Sequence, residues 1–240
     1  MIPKVIWQTY ETEYDLLPSN IKNYIESWVK KYPDFEYKYM DSNQRENFIL
    51  DNFGKEWHDI FVNCKFNIMR ANLWRFMVLY VYGGIYFDLD TSPHYDIYKW
   101  LKNDYDVILF ADESEPELIF SIEVIASAPQ NPIFKILIDH WFTIFNSDEY
   151  KKIISHDQYF VFKYSGEVST MQAIKKALDP NNNILNICKH SEYNNSMNSN
   201  AYKFFCYANE YEIFRGEAFN NIDGANNWKT GYTNWWEEAK

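Results

Sequence analysis

Cysteine is scarce in this chain of 240 residues, which has only Cys64, Cys188 and Cys206. The number is odd, the spacing is wide, and no Cys-x-x-Cys occurs. This excludes a disulfide framework and a cysteine zinc site, and predicts reduced thiols. Basic charge is also in short supply: 23 Lys and Arg stand against 34 Asp and Glu, for a net charge of −11. A basic face for nucleic acid or an anionic membrane is therefore not expected. A nucleotide can still be bound if a cation and a few arginines carry its phosphate. No apolar run reaches the roughly 18–20 residues that span a bilayer. The N-terminus lacks the charged and apolar regions of a signal peptide. The expectation is a cytoplasmic protein with no transmembrane segment. His58, His94, His140, His156 and His190 show no pairing at metal-ligand spacing, and are expected to be structural or exposed. With no internal repeat and no linker, residues 1–240 read as one domain with a core drawn from 47% hydrophobic residues.

Aromatics, at 20%, are plentiful. The chain is organised around Gly83-Gly84-Ile85-Tyr86-Phe87-Asp88-Leu89-Asp90. An apolar helix pattern runs from about Ile68 to Tyr82, and the glycine pair stops it by accepting a left-handed C-cap. Ile85 to Phe87 read as a short buried strand. Asp88 and Asp90 leave its carboxyl end on one face, because alternate residues of an extended chain point the same way. Open α/β sheets keep their ligands at that end. Two aspartates placed so suit Mg²⁺ or Mn²⁺, which take one or two carboxylates and complete their shell with phosphate oxygens and water.

The first third of the chain reads β-α-β-α. A strand over Lys4–Gln8 is followed by a helix opened by Pro18 and ended at Tyr32-Pro33-Asp34. A strand over Phe35–Met40 is followed by a helix capped by Asp41-Ser42-Asn43 and running to about Asn52. A second helical stretch follows Gly54. Beyond the aspartates come apolar runs at Val107–Ala111 and Ile119–Ala126, and a helix started by Asn131-Pro132. A turn at Ser165-Gly166 then precedes a helix over Thr170–Leu178. Ile184–Cys188 reads as an edge strand and Ser191–Asn200 as an exposed loop. The last forty residues are aromatic and expected to fold back over the body. The pattern is that of a Rossmann-like, mostly parallel sheet flanked by helices.

The paired aspartates leave several readings open. Asp is common in strand-to-loop turns. Ile85 to Thr91 also fits the nucleophile motif of haloacid dehalogenase phosphatases, with Asp88 as covalent nucleophile. That motif normally opens the first strand of its fold, and a matching later acidic pair is missing here.

A longer resemblance competes with both. Ile2-Pro3-Lys4-Val5-Ile6-Trp7-Gln8-Thr9-Tyr10 resembles the opening strand of the family 32 glycosyltransferases. Arg75, Leu79, Tyr80, Tyr82, Gly83, Gly84, Ile85, Tyr86, Asp88 and Asp90 match that family's central Asp-x-Asp block. Ser165-Gly166 with Thr170 resembles a later segment. The family is related to fungal mannosyltransferases and glucosylating clostridial toxins. The resemblance implies a GT-A fold, with the C-terminal aromatic segment closing over the cleft. It further implies retaining, metal-dependent transfer of a hexose from a UDP- or GDP-sugar to a glycan or lipid-linked acceptor.

On that basis Asp90 would ligate Mn²⁺ or Mg²⁺. Asp88 would hold the ribose and sugar side, or a metal-bound water. Arg75 would hold a donor phosphate or sugar hydroxyl, Trp7 would stack on the base, and Tyr86 would line the nucleotide pocket. Gln8, Thr9, Asn72 and Trp235 would complete the donor site. Two departures from the family pattern stand out. Asn72 occupies the place of an aspartate that touches the donor sugar. Asn226-Asn227-Trp228 replaces a His-His-Trp segment, so Asn226 would join the metal more weakly than imidazole. The losses at Asn72 and Asn226 also fit a protein that binds a nucleotide sugar or glycan without turning it over.

Overall fold

A computed structural model describes residues 1–64, 66–89, 91, 96–101, 106–112, 119–152, 160–178 and 204–208. Six strands form one sheet in the order β2-β1-β3-β5-β4-β6. They are β1 (Val5–Thr9), β2 (Glu36–Met40), β3 (Gly84–Phe87), β4 (Val107–Asp112), β5 (Ile119–Ser127) and β6 (Phe204–Ala208). β1 pairs in parallel with both β2 and β3, and β4 with β6, while β5 runs antiparallel between β3 and β4. Only β5 among these strands therefore opposes the rest, and the sheet is mixed but mostly parallel, as expected.

Helices cover both faces. On one lie α2 (Ser42–Val62), α3 (Asn67–Tyr82), α5 (Pro132–Asn146) and α8 (Glu167–Leu178), packed with Trp7, Tyr86, Leu109 and Ile125 of the strands. On the other, α1 (Ser19–Lys31) lays Trp28 over Ile6, Ile85 and Phe87. Three shorter helices are α4 (Tyr98–Leu101), α6 (Asp148–Lys152) and α7 (Phe160–Tyr164). This α/β/α layering buries both faces of the sheet.

The central helix α3 is buried at every position from Asn72 to Leu79. Its pattern is apolar all round because it is sandwiched between the sheet and α5, where the Phe76 ring meets those of Phe134 and Trp141 at 5.2 and 5.3 Å. It ends as the glycine pair requires. Gly83 at φ +67 returns its N–H to the Leu79 carbonyl, and Gly84 sits at φ +111. A Cβ at Gly84 would lie 2.7 Å from the Val5 carbonyl oxygen and 3.0 Å from Trp7 Nε1. So β3 lies against β1 only because no side chain stands there.

Local signals hold elsewhere. Asp41 caps α2 through a reciprocal pair with Gln44, its carboxylate accepting from the Gln44 N–H at 2.9 Å and its own N–H donating to the Gln44 side chain at 3.0 Å. Asn131 caps α5 ahead of Pro132. The two helical stretches expected on either side of Gly54 are both present, and α2 breaks between them at that residue, whose backbone is non-helical at φ +81 and ψ −177. α8 begins at Glu167, earlier than the spacing suggested, because the Gly166 carbonyl already accepts the Thr170 N–H at 3.0 Å. The expected strand at Ile184–Cys188, the loop at 191–200 and the aromatic tail beyond residue 208 lie outside the described residues.

Candidate active site

The site assembles where β3 runs out. Its last residue, Phe87, hands the chain to Asp88, whose N–H donates to the Glu123 carbonyl of β5 at 2.8 Å. The Asp88 carbonyl then accepts three bonds, from Gln8 Nε2 at 3.1 Å, the Thr91 hydroxyl at 2.6 Å and the Thr91 N–H at 3.0 Å. Trp28 Nε1 donates to the Thr91 carbonyl at 3.2 Å. A turn fixed at both ends by buried partners holds the aspartate in one orientation, which is what a preorganised site requires.

The Asp88 side chain is 19% exposed. Its Oδ1 accepts from the Tyr86 hydroxyl at 2.6 Å and lies 3.2 Å from Arg75 Nη1. Arg75 is 2% exposed, donates through the same nitrogen to the Ile122 carbonyl, and stacks its guanidinium 4.6 Å over the Tyr86 ring. Burial alone would lower the Arg75 pKa, but the charges of Asp88, Glu167 and Glu123 oppose it, and the pKa is raised. Burial pushes the Tyr86 phenol well above its ordinary value, with Arg75 opposing and Asp88 reinforcing the shift. The phenol therefore stays protonated and serves as a donor. Arg75, Tyr86 and Asp88 thus form one unit in which a fixed cation and a neutral donor orient a single carboxylate.

The other sequence-predicted residues divide clearly. Asn72 lies one helical turn before Arg75, is buried, and points its amide at Ser165 Oγ, 3.4 Å away. This brings the Ser165-Gly166 segment against α3. Gln8 is fully buried and bridges the Tyr37 hydroxyl, at 2.8 Å, to the Asp88 carbonyl, so it supports the turn. The Thr9 hydroxyl is committed to the Met40 carbonyl at 2.5 Å.

Trp7 departs from its expected role. Its indole is 3% exposed, stacks on Tyr82 at 5.7 Å, meets Trp74 edge-on at 6.2 Å, and donates to the Gly83 carbonyl at 2.9 Å. The glycine pair admits it into the core, and no ring face is offered to a base. Asp90, Asn226 and Trp235 lie outside the described residues.

Sequence reasoning missed Glu123 on β5 and Glu167 at the start of α8, whose charges act on Arg75. Glu167 directly follows the Ser165-Gly166 pair and was findable from it. Glu123 carried no signal, because strand β5 offered no motif.

The donor set bears on the implied cation. Among the described residues, no cluster of three His, Cys, Asp or Glu side chains suits a metal ion. Asp88 is already engaged by Arg75 and Tyr86. The arrangement fits Asp88 as a positioning carboxylate.

Residues 18–108 match the family model described as "Glycosyltransferase sugar-binding region containing DXD motif". This stretch of the chain is thus similar to a DXD-type glycosyltransferase region. The chain is 27% identical over 156 residues to an initiation-specific alpha-1,6-mannosyltransferase of Schizosaccharomyces pombe, covering 57% of this chain and 39% of that one. It is 33% identical over 141 residues to inositol phosphoceramide mannosyltransferase 2 of the same organism, covering 58% and 38%. The chain thus spans about two-fifths of the length of either relative. Among solved structures it is similar to the PaToxG glycosyltransferase, with a TM-score of 0.50 and 19% identity over 77% of this chain and 72% of that one. The fold is accordingly GT-A.

Proposed function

We propose that the chain is a retaining, divalent-metal-dependent hexosyltransferase. It moves a sugar from a UDP- or GDP-sugar to a glycan or lipid-linked acceptor. The observation that carries this reading is the Arg75–Tyr86–Asp88 unit at the carboxyl end of β3, inside a region of DXD glycosyltransferase type. Arg75 supplies a fixed positive charge at the mouth of the strand, where a departing diphosphate gathers negative charge. Asp88, oriented through both its carboxylate and its backbone carbonyl, accepts from hydroxyls of the donor's ribose or sugar. The cation, held by Asp90 with Asn226, would supply further charge stabilisation to the leaving group. Retention fits a same-face displacement. The names of the two relatives make mannose the first hexose to test, and a cytoplasmic location is proposed with it. No helix among the described residues is long and apolar enough to cross a membrane.

The test is a panel of UDP- and GDP-sugars incubated with the protein and Mn²⁺ or EDTA, with free nucleotide counted and the anomeric configuration of any product read by NMR. Metal-dependent release from one donor, with the donor's configuration kept, is the expected result. Binding without release would point to a nucleotide-sugar or glycan binding protein, the reading that Asn72 in place of an aspartate favours. Neither binding nor release, together with hydrolysis of a simple phosphate ester that Asp88→Asn abolishes, would return the phosphatase.

A further inference from the structure

Arg45 is a second fully buried arginine, outside the Arg75–Tyr86–Asp88 unit. It sits on α2 one turn past the Asp41 cap and is 1% exposed. Its Nη2 donates to the carboxylate of Glu11. Its Nε and Nη1, sealed from solvent, have no hydrogen-bond partner among the described residues. A guanidinium keeps its charge and five N–H donors at any working pH, so a buried one satisfied through a single nitrogen is an incomplete arrangement. The Glu11 side chain is 33% exposed, so the carboxylate is the solvent-facing member of the pair. Its backbone is held in place by the Ser42 hydroxyl, which donates to the Glu11 carbonyl at 2.9 Å.

The position of the pair matters as much as its chemistry. Glu11 follows the carboxyl end of β1 and Arg45 follows that of β2. Both strands run parallel to β3, whose carboxyl end carries Asp88. The Arg45 charge is felt at Tyr86, the ring on which Arg75 stacks, and also at Tyr39. Two buried guanidinium groups thus act on one tyrosine at the mouth of the sheet, in a chain that is otherwise strongly acidic.

We propose that Arg45 is a phosphate-binding residue of the donor pocket and that Glu11 holds its place until the nucleotide arrives. The phosphate replaces the Glu11 carboxylate at Nη2 and, having more acceptor oxygens, reaches a donor that Glu11 leaves unmet. The exposed carboxylate can turn into water, whereas the buried guanidinium cannot follow it. This rests on reading the cleft as a nucleotide-sugar site. A neutral base edge would not displace a carboxylate, so the inference is specific to phosphate.

Calorimetry on the full chain with UDP, GDP and the parent nucleosides, in Mn²⁺, tests it. Arg45→Gln should weaken the nucleoside diphosphate by roughly tenfold or more while leaving the nucleoside unchanged. Glu11→Gln should tighten the diphosphate, because a competitor is removed. Far-UV circular dichroism checks each variant. If Arg45→Gln fails to fold, Arg45→Lys and Glu11→Gln carry the test, with weaker and tighter binding expected respectively. Unchanged diphosphate affinity in the folded Arg45 variants would overturn the proposal, leaving a structural ion pair. So would an equal loss for nucleoside and diphosphate, which would mean a base contact, or a weakening in Glu11→Gln. A wild-type protein that binds neither diphosphate would instead overturn the nucleotide-sugar reading itself, before any variant is compared.

Discussion

Replacing Asp88 by Asn keeps the shape of the side chain and removes the charge facing Arg75. The two groups are 3.2 Å apart. At an effective dielectric constant of about 20, Coulomb's law gives an attraction of about 5 kcal/mol, which is a ceiling because water reaches one side of the aspartate. Breaking a buried ion pair from one side typically costs about 3–5 kcal/mol. Here Asp88 is 19% exposed and Arg75 keeps the Ile122 carbonyl, so the expected loss is nearer 2–3 kcal/mol. Arg75→Gln should cost at least as much, since it also strips the stacked cation from Tyr86. The two losses should not add, and a coupling energy of about 1–2 kcal/mol is expected in the double variant. Urea unfolding followed by far-UV circular dichroism gives all four corners of the cycle. Because the pair is inside, the coupling should survive 1 M salt, where exposed charges are screened within about 3 Å. An Asp88→Asn cost under about 0.5 kcal/mol, or a coupling that vanishes in salt, would refute the reasoning and make the contact a surface ion pair.

Three further predictions follow from individual contacts. Gly84→Ala forces a side chain into φ +111 and within 2.7 Å of the Val5 carbonyl; an expected loss of more than about 2 kcal/mol should appear as a lower urea midpoint. Trp7→Phe gives up the bond to the Gly83 carbonyl and part of the indole volume, so stability should fall by about 2 kcal/mol while donor affinity moves less than about twofold. The reverse pattern would restore a base-stacking role to Trp7. Burial pushes the Cys64 thiol up to about 12 from an ordinary 9.0. The neutral thiol is favoured by folding, so its contribution is complete below pH 9 and is lost as pH rises from there towards 12. With Cys188 and Cys206 replaced by Ser, iodoacetamide at pH 8 should label the native protein at least about tenfold more slowly than the unfolded one, and equal rates would contradict the burial.

Much of this fold was legible because its punctuation is local. Gly83 and Gly84 end α3 and open β3, Asp41 and Asn131 start helices, and Pro132 fixes the first turn of α5. Each signal acts within four residues and needs no knowledge of the rest of the chain. The antiparallel direction of β5 was not legible, since it depends on how β4 and β5 meet across the sheet. The site divides the same way. Asp88 could be placed from strand alternation alone. The role of Arg75 could not, because about two helical turns, the glycine pair and strand β3 separate it from Asp88, and only the packing of α3 against β3 and β5 brings them together. Trp7 was ambiguous for a related reason. A tryptophan near a strand's end reads the same whether it faces a ligand or the core, and the space that admits it is made by glycines far along the chain. Arg45 carries no local signal that sets it apart from an exposed helix arginine; only its burial does.

The central proposal is that the site at Asp88 activates a nucleotide sugar with a divalent cation held chiefly by Asp90. The most direct measurement is nucleotide release from the best donor as a function of Mn²⁺ concentration, for the wild type and for Asp90→Ala. Saturable, EDTA-sensitive release that Asp90→Ala abolishes, with the variant's unfolding midpoint unchanged, is the predicted result. Release that persists undiminished in EDTA or in Asp90→Ala would contradict it.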